Sequence, residues 1–209
     1  MEESEMTPLD QIIISKMTRE GRWMIAKEQY KIQQIQEEWE WLIDNTVGIG
    51  KDKKNILEIG CYDGGSSYYL SNFAKKMTTI DNNDPCRFDY SKFDCDYTYV
   101  AGDSHHPNQI SHFNRKQWDH EDKEEFSWDF VFIDGDHSYE GVKADFYNVL
   151  PHLKKGTPVA FHDIAISDFH HTHGCYVGEF WRDLKNEYDG TFEEFQVNTD
   201  WAGIGIVRV

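Results

Sequence analysis

Asp134, Asp136 and His137 stand within four residues of one another, directly after the apolar run Phe130–Ile133. Two carboxylates and an imidazole at that spacing can accept hydrogen bonds and move a proton near neutral pH. A single His is most often a satisfied structural residue, but one in a polar turn after a strand is better placed for chemistry. Further acids follow other apolar runs: Asp81, Asp103 and Asp163. Upstream lies a glycine-bearing turn, Glu58-x-Gly60-x-x-x-Gly64-Gly65-Ser66. Glycines there let the backbone approach a ligand, and a helix start favours a carboxylate or phosphate. Taken alone, the turn is also what an ordinary tight strand-to-helix connection needs. With Asp81, Asp103 and Asp134 at the same crevice, a pyrophosphate is disfavoured. A ligand carrying hydroxyls, amines and a positive centre suits those acids.

The elements that must position these residues follow from periodicity. Phe130–Ile133 is almost continuously apolar, as a strand buried on both faces of a parallel sheet reads. Gly135 permits a sharp turn, Ser138 is placed as an N-cap, and Val142, Phe146, Val149, Leu150 and Leu153 define one helix face. In open α/β sheets ligands sit beyond the carboxyl ends of strands, where Asp134, Asp136 and His137 cluster. Further strands are expected at Asn55–Gly60, Met77–Ile80, Tyr97–Ala101, Thr157–Phe161, Phe192–Val197 and Gly203–Val209, and a helix at Val177–Tyr188. Ser104–Ser127 reads as a helix with an exposed loop. Residues 9–47 read as helices, with Ile32, Ile35, Trp39, Leu42 and Ile43 on one face, Gly21 dividing two helices, and Gly48 and Gly50 ending the second. This arm could be a lid, a dimer surface within a homo-oligomer, or packing. The alternation of strands and helices predicts a three-layer α/β sandwich. A helical arm over 1–50 would precede a ligand-binding domain over 51–209.

Composition narrows the function classes. The 209 residues carry 21 Lys and Arg against 38 Asp and Glu, a formal net charge of −17. Nucleic acid and anionic membranes are poor partners for such a surface, which lacks the clustered cations that phosphate binding needs. No segment has the apolar length of a membrane span, and the first residues lack a signal-peptide pattern, so a cytoplasmic location is expected. Cys61, Cys86, Cys95 and Cys175 form no CxxC pair and read as reduced thiols.

Over about residues 55–209 the sequence resembles the class I S-adenosylmethionine-dependent methyltransferases. The likeness rests on LEIGCYDGGSS, TTIDNN, VAGDS, VFIDGDHSYEGVKAD, AFHD and GIGIVRV. FIDGDHSYEGVKAD is the most specific and is similar to metal-dependent small-molecule O-methyltransferases, in the group of antibiotic-sugar methyltransferases and cephalosporin hydroxylase-like proteins. The resemblance implies a Rossmann-like, seven-stranded, mostly parallel sheet whose last strand is antiparallel. It implies S-adenosylmethionine as cofactor, with Glu58, Gly60, Gly64 and Ser66 at its methionine part. Asp81 would hold the ribose, Asp103 would lie near the adenine and Asp134 at the reaction centre. It also implies a divalent metal, Mg²⁺ first, held by Asp134 and Asp163 from neighbouring strand ends. The plainer reading is that both acids cap helices. Relatives often supply two adjacent ligands after the fifth strand. Here Ile164 cannot bind, and His162 is a softer donor suited to Zn²⁺, Mn²⁺ or Fe²⁺. His137 falls where relatives carry the general base. His170, His171 and His173 fit no helix-face ligand pair and are expected in a mobile substrate-covering loop. Tyr68, Tyr69 and Phe73 are expected in the core. The implied reaction is O-methylation of a small hydroxylated molecule. A nicotinamide-dependent oxidoreductase and a non-catalytic cofactor-binding protein are the alternatives, although the glycines do not match GxGxxG.

Overall fold

The computed structural model describes residues 18–48, 52–84, 86–106 and 127–209. Its centre is a seven-stranded sheet in the order β3-β2-β1-β4-β5-β7-β6. The strands are β1 (Lys54–Ile59), β2 (Ala74–Asp81), β3 (Asp96–Ala101), β4 (Phe130–Ile133), β5 (Pro158–His162), β6 (Thr191–Phe195) and β7 (Ile204–Arg208). Strand β7 runs antiparallel to both β5 and β6, and the other pairs are parallel. The seven strands and the reversed last strand are those the resemblance implied.

The apolar continuity of β4 has a direct cause. Phe130 and Phe132 enter one core, and Val131 and Ile133 enter another on the opposite face. One face is covered by α1 (Arg19–Tyr30), α2 (Gln36–Asn45) and α3 (Gly65–Ser71). The other is covered by α4 (Tyr139–Val149) and α6 (Val177–Glu187). A short helix, α5 (Asp168–Thr172), lies between β5 and α6. Ser138 caps α4 as expected, its Oγ accepting from the Gly141 N–H at 3.0 Å.

The N-terminal arm is packed into the protein. Trp39, Leu42 and Ile43 are buried in the same core as Phe132, and the Trp39 ring meets Phe132 edge-on at 5.1 Å. The fully buried Glu38 accepts from the backbone N–H groups of Val197 (2.8 Å) and Gly203 (2.9 Å), tying α2 to the β6–β7 connection. Two expectations need correction. Gly21 lies inside α1, and the break between the helices falls at Lys31–Ile35, so Ile32 and Ile35 precede α2. The left-handed Lys31 (φ 53°) ends α1 there, its backbone N–H bonded to the Ala26 carbonyl. Tyr68, Tyr69 and Phe73 are core residues, as expected. The expected helix over 9–17, the stop at Gly50 and most of Ser104–Ser127 lie outside the described residues.

Candidate active site

The ends of β4 and β5 are paired neighbours, with Ile133 opposite Phe161, so Asp134 and Asp163 emerge side by side. Asp163 adopts a left-handed backbone (φ 63°), a conformation that Asp tolerates better than most residues. His137 bridges the two acids, with Nε2 3.3 Å from Asp134 Oδ1 and Nδ1 3.5 Å from Asp163 Oδ2. The buried His162 directs Nδ1 at both, 3.4 Å from Asp134 Oδ1 and 3.2 Å from Asp163 Oδ1. The β4–α4 turn that presents His137 is closed by Asp136, whose Oδ1 accepts from the Ser138 N–H at 2.8 Å.

Charge fixes the protonation states here. Burial alone would raise the Asp134 pKa, but His162 and the hydrogen bond from His137 hold it far below the usual carboxylate range. Asp163 is likewise raised by burial but lowered overall, chiefly by His162. The hydrogen bond to Asp134 raises His137 above its ordinary value against the opposing effect of burial. For His162, burial lowers the pKa, and Asp134 with Asp163 overcome that and raise it well above the ordinary value. The two carboxylates thus favour protonation of both facing imidazoles.

The glycine turn is built differently from expectation. Asp81 Oδ2 accepts from the backbone N–H groups of Cys61 (2.9 Å) and Tyr62 (3.2 Å). Its Oδ1 accepts from the Asn83 backbone at 2.8 Å and from the Asn83 side-chain amide. Burial would raise the Asp81 pKa, but these bonds hold it below its ordinary value. Asp81 thus lines the cleft, as expected of the ribose-holding acid, with both oxygens bonded to the loop that follows β1 and to Asn83. Glu58 does not reach the cleft. Strand alternation turns it with Ile56 toward α3, where it is fully buried and accepts from Ser67 and, at 2.8 Å, from Thr79. Burial pushes its carboxyl up to about 7. A direct contact between Glu58 and a cofactor is thus corrected to a clamp beneath the turn. Gly64 faces the Phe88 ring, 2.5 Å from where a Cβ would stand, while Gly60 and Ser66 line a recess beside Asp134. Gly60 (φ 80°) is required because a Cβ would stand 2.1 Å from the Asp134 carbonyl oxygen.

At the far end, Asp103 follows β3 and stands 3.4 Å from His105 Nδ1. His105 Nε2 lies 3.9 Å from Asp136 and 3.8 Å from the fully buried Asp145, whose carboxyl burial pushes up to about 6. Sequence reasoning missed His105, Asp145 and Gln34. The buried Gln34 donates through Nε2 to Asp134 Oδ2 at 2.7 Å. For His105 the signal was its place two residues after Asp103; Gln34 gave none. The His-rich segment forms α5, where a mobile loop was expected. His170 is pinned by Nδ1 to the Ala165 carbonyl (2.6 Å) and by Nε2, which accepts from the Ala202 N–H (3.2 Å).

These groups surround one cleft of about 1150 Å³ running from Asp81 and Asp103 past Asp134 to His137, Asp163, Phe169 and Trp201. No Lys or Arg is among the described residues lining it. Two amides of the turn, those of Cys61 and Tyr62, are spent on Asp81. The cleft thus fits a long ligand with a cationic centre and hydroxyls better than a dinucleotide. A metal also fits. Asp134, His162 and Asp163 offer ligand atoms within 4.8 Å of one another, as do His137, Asp163 and Cys175.

The fold and this acid-rimmed cleft define a methyltransferase-type α/β domain. Residues 57–164, more than half of the chain, match the family model described as a methyltransferase domain, and the chain belongs to that family. It is similar to an O-methyltransferase of Bacillus cereus solved with S-adenosylhomocysteine (TM-score 0.58, 15% identity, 98% of this chain and 94% of that one). It is also similar to the O-methyltransferase TomG of Streptomyces achromogenes solved with S-adenosylmethionine (0.59, 16%, 100% and 99%). A third likeness is MycE of the mycinamycin biosynthetic pathway, solved with Mg, S-adenosylhomocysteine and mycinamycin VI (0.57, 15%, 98% and 55%). At these identities the structures show the shared fold. Among curated proteins, the chain is 39% identical over 64 residues to the uncharacterized protein y4gI of Sinorhizobium fredii. The match covers 31% of this chain and spans 7% of that relative's length.

Proposed function

We propose that this protein is an S-adenosylmethionine-dependent O-methyltransferase acting on a hydroxyl of a small molecule, with a divalent metal at Asp134, His162 and Asp163. The observation that carries the reading is the cleft itself. It is lined by acids, lacks Lys and Arg among the described residues, and has the Cys61 and Tyr62 amides occupied by Asp81. That pattern supports a sulfonium-bearing cofactor and disfavours the pyrophosphate of a nicotinamide dinucleotide. The ligands bound in the B. cereus, TomG and MycE structures support the same cofactor.

When bound, S-adenosylmethionine supplies an electrophilic methyl group. Asp134 lines the cleft with Gly60 and would face the positive centre; Asp81, after exchanging its Asn83 side-chain donor, would accept from the ribose. His137, at the acceptor side, removes the hydroxyl proton once its own ring is deprotonated. Phe169 and Trp201, both substantially exposed at the cleft mouth, give the acceptor an aromatic wall. A divalent ion would lower the pKa of the acceptor hydroxyl. The His162 imidazole beside two carboxylates favours Mn²⁺, Fe²⁺ or Zn²⁺ over Mg²⁺, which prefers an all-oxygen shell. The His137 bridge argues against a merely structural domain, because a pair of acids that only capped helices would not need two facing imidazoles.

The test is transfer of a labelled methyl group to a panel of catechols, sugars and amines. O-methylated product is expected. Product found only on nitrogen would overturn the acceptor assignment while leaving the cofactor reading intact.

A further inference from the structure

We propose that Gln34, carried by the N-terminal arm, reads the α-ammonium of the cofactor's amino-acid end. This rests on the S-adenosylmethionine reading and adds to it a binding residue outside the methyltransferase domain match. Gln34 is 8% exposed, and its amide orientation is fixed by chemistry: Asp134 Oδ2, a carboxylate oxygen, can only accept, so Nε2 must face it at 2.7 Å. Oε1 is thereby turned away from Asp134, and it is buried with no partner among the described residues. A buried acceptor without a donor is costly, and a bound ligand can satisfy it.

The surroundings say which donor. Gln34 and Asp134 line a small recess with Gly60, Ser66 and Lys31, next to the large cleft. The arm is seated directly on the glycine turn, since a Cβ on Gly65 would stand 2.3 Å from Ile32 Cα. At the mouth of the recess, Lys31 Nζ is 3.1 Å from Asp63 and largely exposed. The recess is therefore lined by a neutral acceptor beside the Asp134 carboxylate and by the Lys31 cation, paired with Asp63. That is the complement of an amino-acid zwitterion, with its ammonium inward and its carboxylate toward Lys31. A phosphate would meet Asp134 and Gln34 Oε1, both acceptors, and would be repelled.

The experiment is calorimetric and independent of turnover. S-adenosylhomocysteine and its deaminated analogue, with hydrogen in place of the α-amino group, are titrated into the wild type and into Gln34→Met, which keeps the bulk and removes the amide. A hydrogen bond to a charged group is worth roughly ten- to a hundredfold in affinity. The variant should lose about that much for S-adenosylhomocysteine and within about twofold nothing for the analogue. Equal losses for both ligands would reduce Gln34 to positioning Asp134 and overturn the proposal, as would no loss for either. If the variant does not fold, the wild type decides: equal affinity for the two ligands overturns the proposal without it. Should the wild type bind neither, the cofactor reading fails together with it. A wild type that binds both, with no role for Gln34, sinks this inference alone.

Discussion

At the scale of single residues, chemistry concentrates on His137. Its ring is held between Asp134 and Asp163, and the hydrogen bond to Asp134 raises its pKa above 6.5. A raised pKa keeps the imidazole protonated to higher pH, so the free base is lost as pH falls through a value above 6.5 in the metal-free protein. His137→Ala should lower kcat by about 10²–10⁴-fold and abolish that acidic limb, with S-adenosylhomocysteine affinity nearly unchanged. A pH–rate profile of the variant checks both; wild-type kcat with chemistry rate-limiting would remove His137 from the mechanism. His162 and Asp163 make a separate prediction. Chelation should abolish activity, and Mn²⁺ should restore it more fully than Mg²⁺, because the His162 nitrogen matches the softer ion. Full activity in chelator would contradict a metal role.

Elements explain why some of this could be read from the chain and some could not. β4 was legible because its residues alternate between two buried faces, leaving a short apolar stretch that ends abruptly at Asp134. The Ser138 cap and the α4 face were legible for similarly local reasons. Glu58 was misassigned because a motif gives a position along the chain and not the face of the strand; pairing with Ser67 and Thr79 places it under the turn. Gln34 was invisible because its partner is 100 residues away. The clamp at Glu58 has a measurable signature. Its folded pKa of about 7 exceeds the ordinary 4.5, so the folded state holds the proton more tightly. That contribution is fully present below pH 4.5 and is lost as pH rises through about 7, on the order of 3 kcal/mol for the shift. Glu58→Gln should flatten the fall of Tm between those values relative to wild type. An unchanged difference in Tm between the two proteins across that window would show that Glu58 does not carry the proton.

At the scale of the whole molecule, the sheet brings acids from four strand ends to one edge, and the arm, in the same layer as α3, seats on the glycine turn. Asp81 ends β2, and Asp103, Asp134 and Asp163 follow β3, β4 and β5. An edge so acidic is costly in the ligand-free state, and a cationic ligand relieves it. The central claim is thus about what the cleft holds, and calorimetry tests it most directly, with S-adenosylhomocysteine, NAD and NADP titrated in turn. The account predicts saturable heat and a raised Tm for S-adenosylhomocysteine, with about 2.7 kcal/mol of added stability at a hundredfold excess over Kd, and neither for the dinucleotides. No heat and no Tm shift with millimolar S-adenosylhomocysteine, or tighter binding of NAD or NADP, would contradict it.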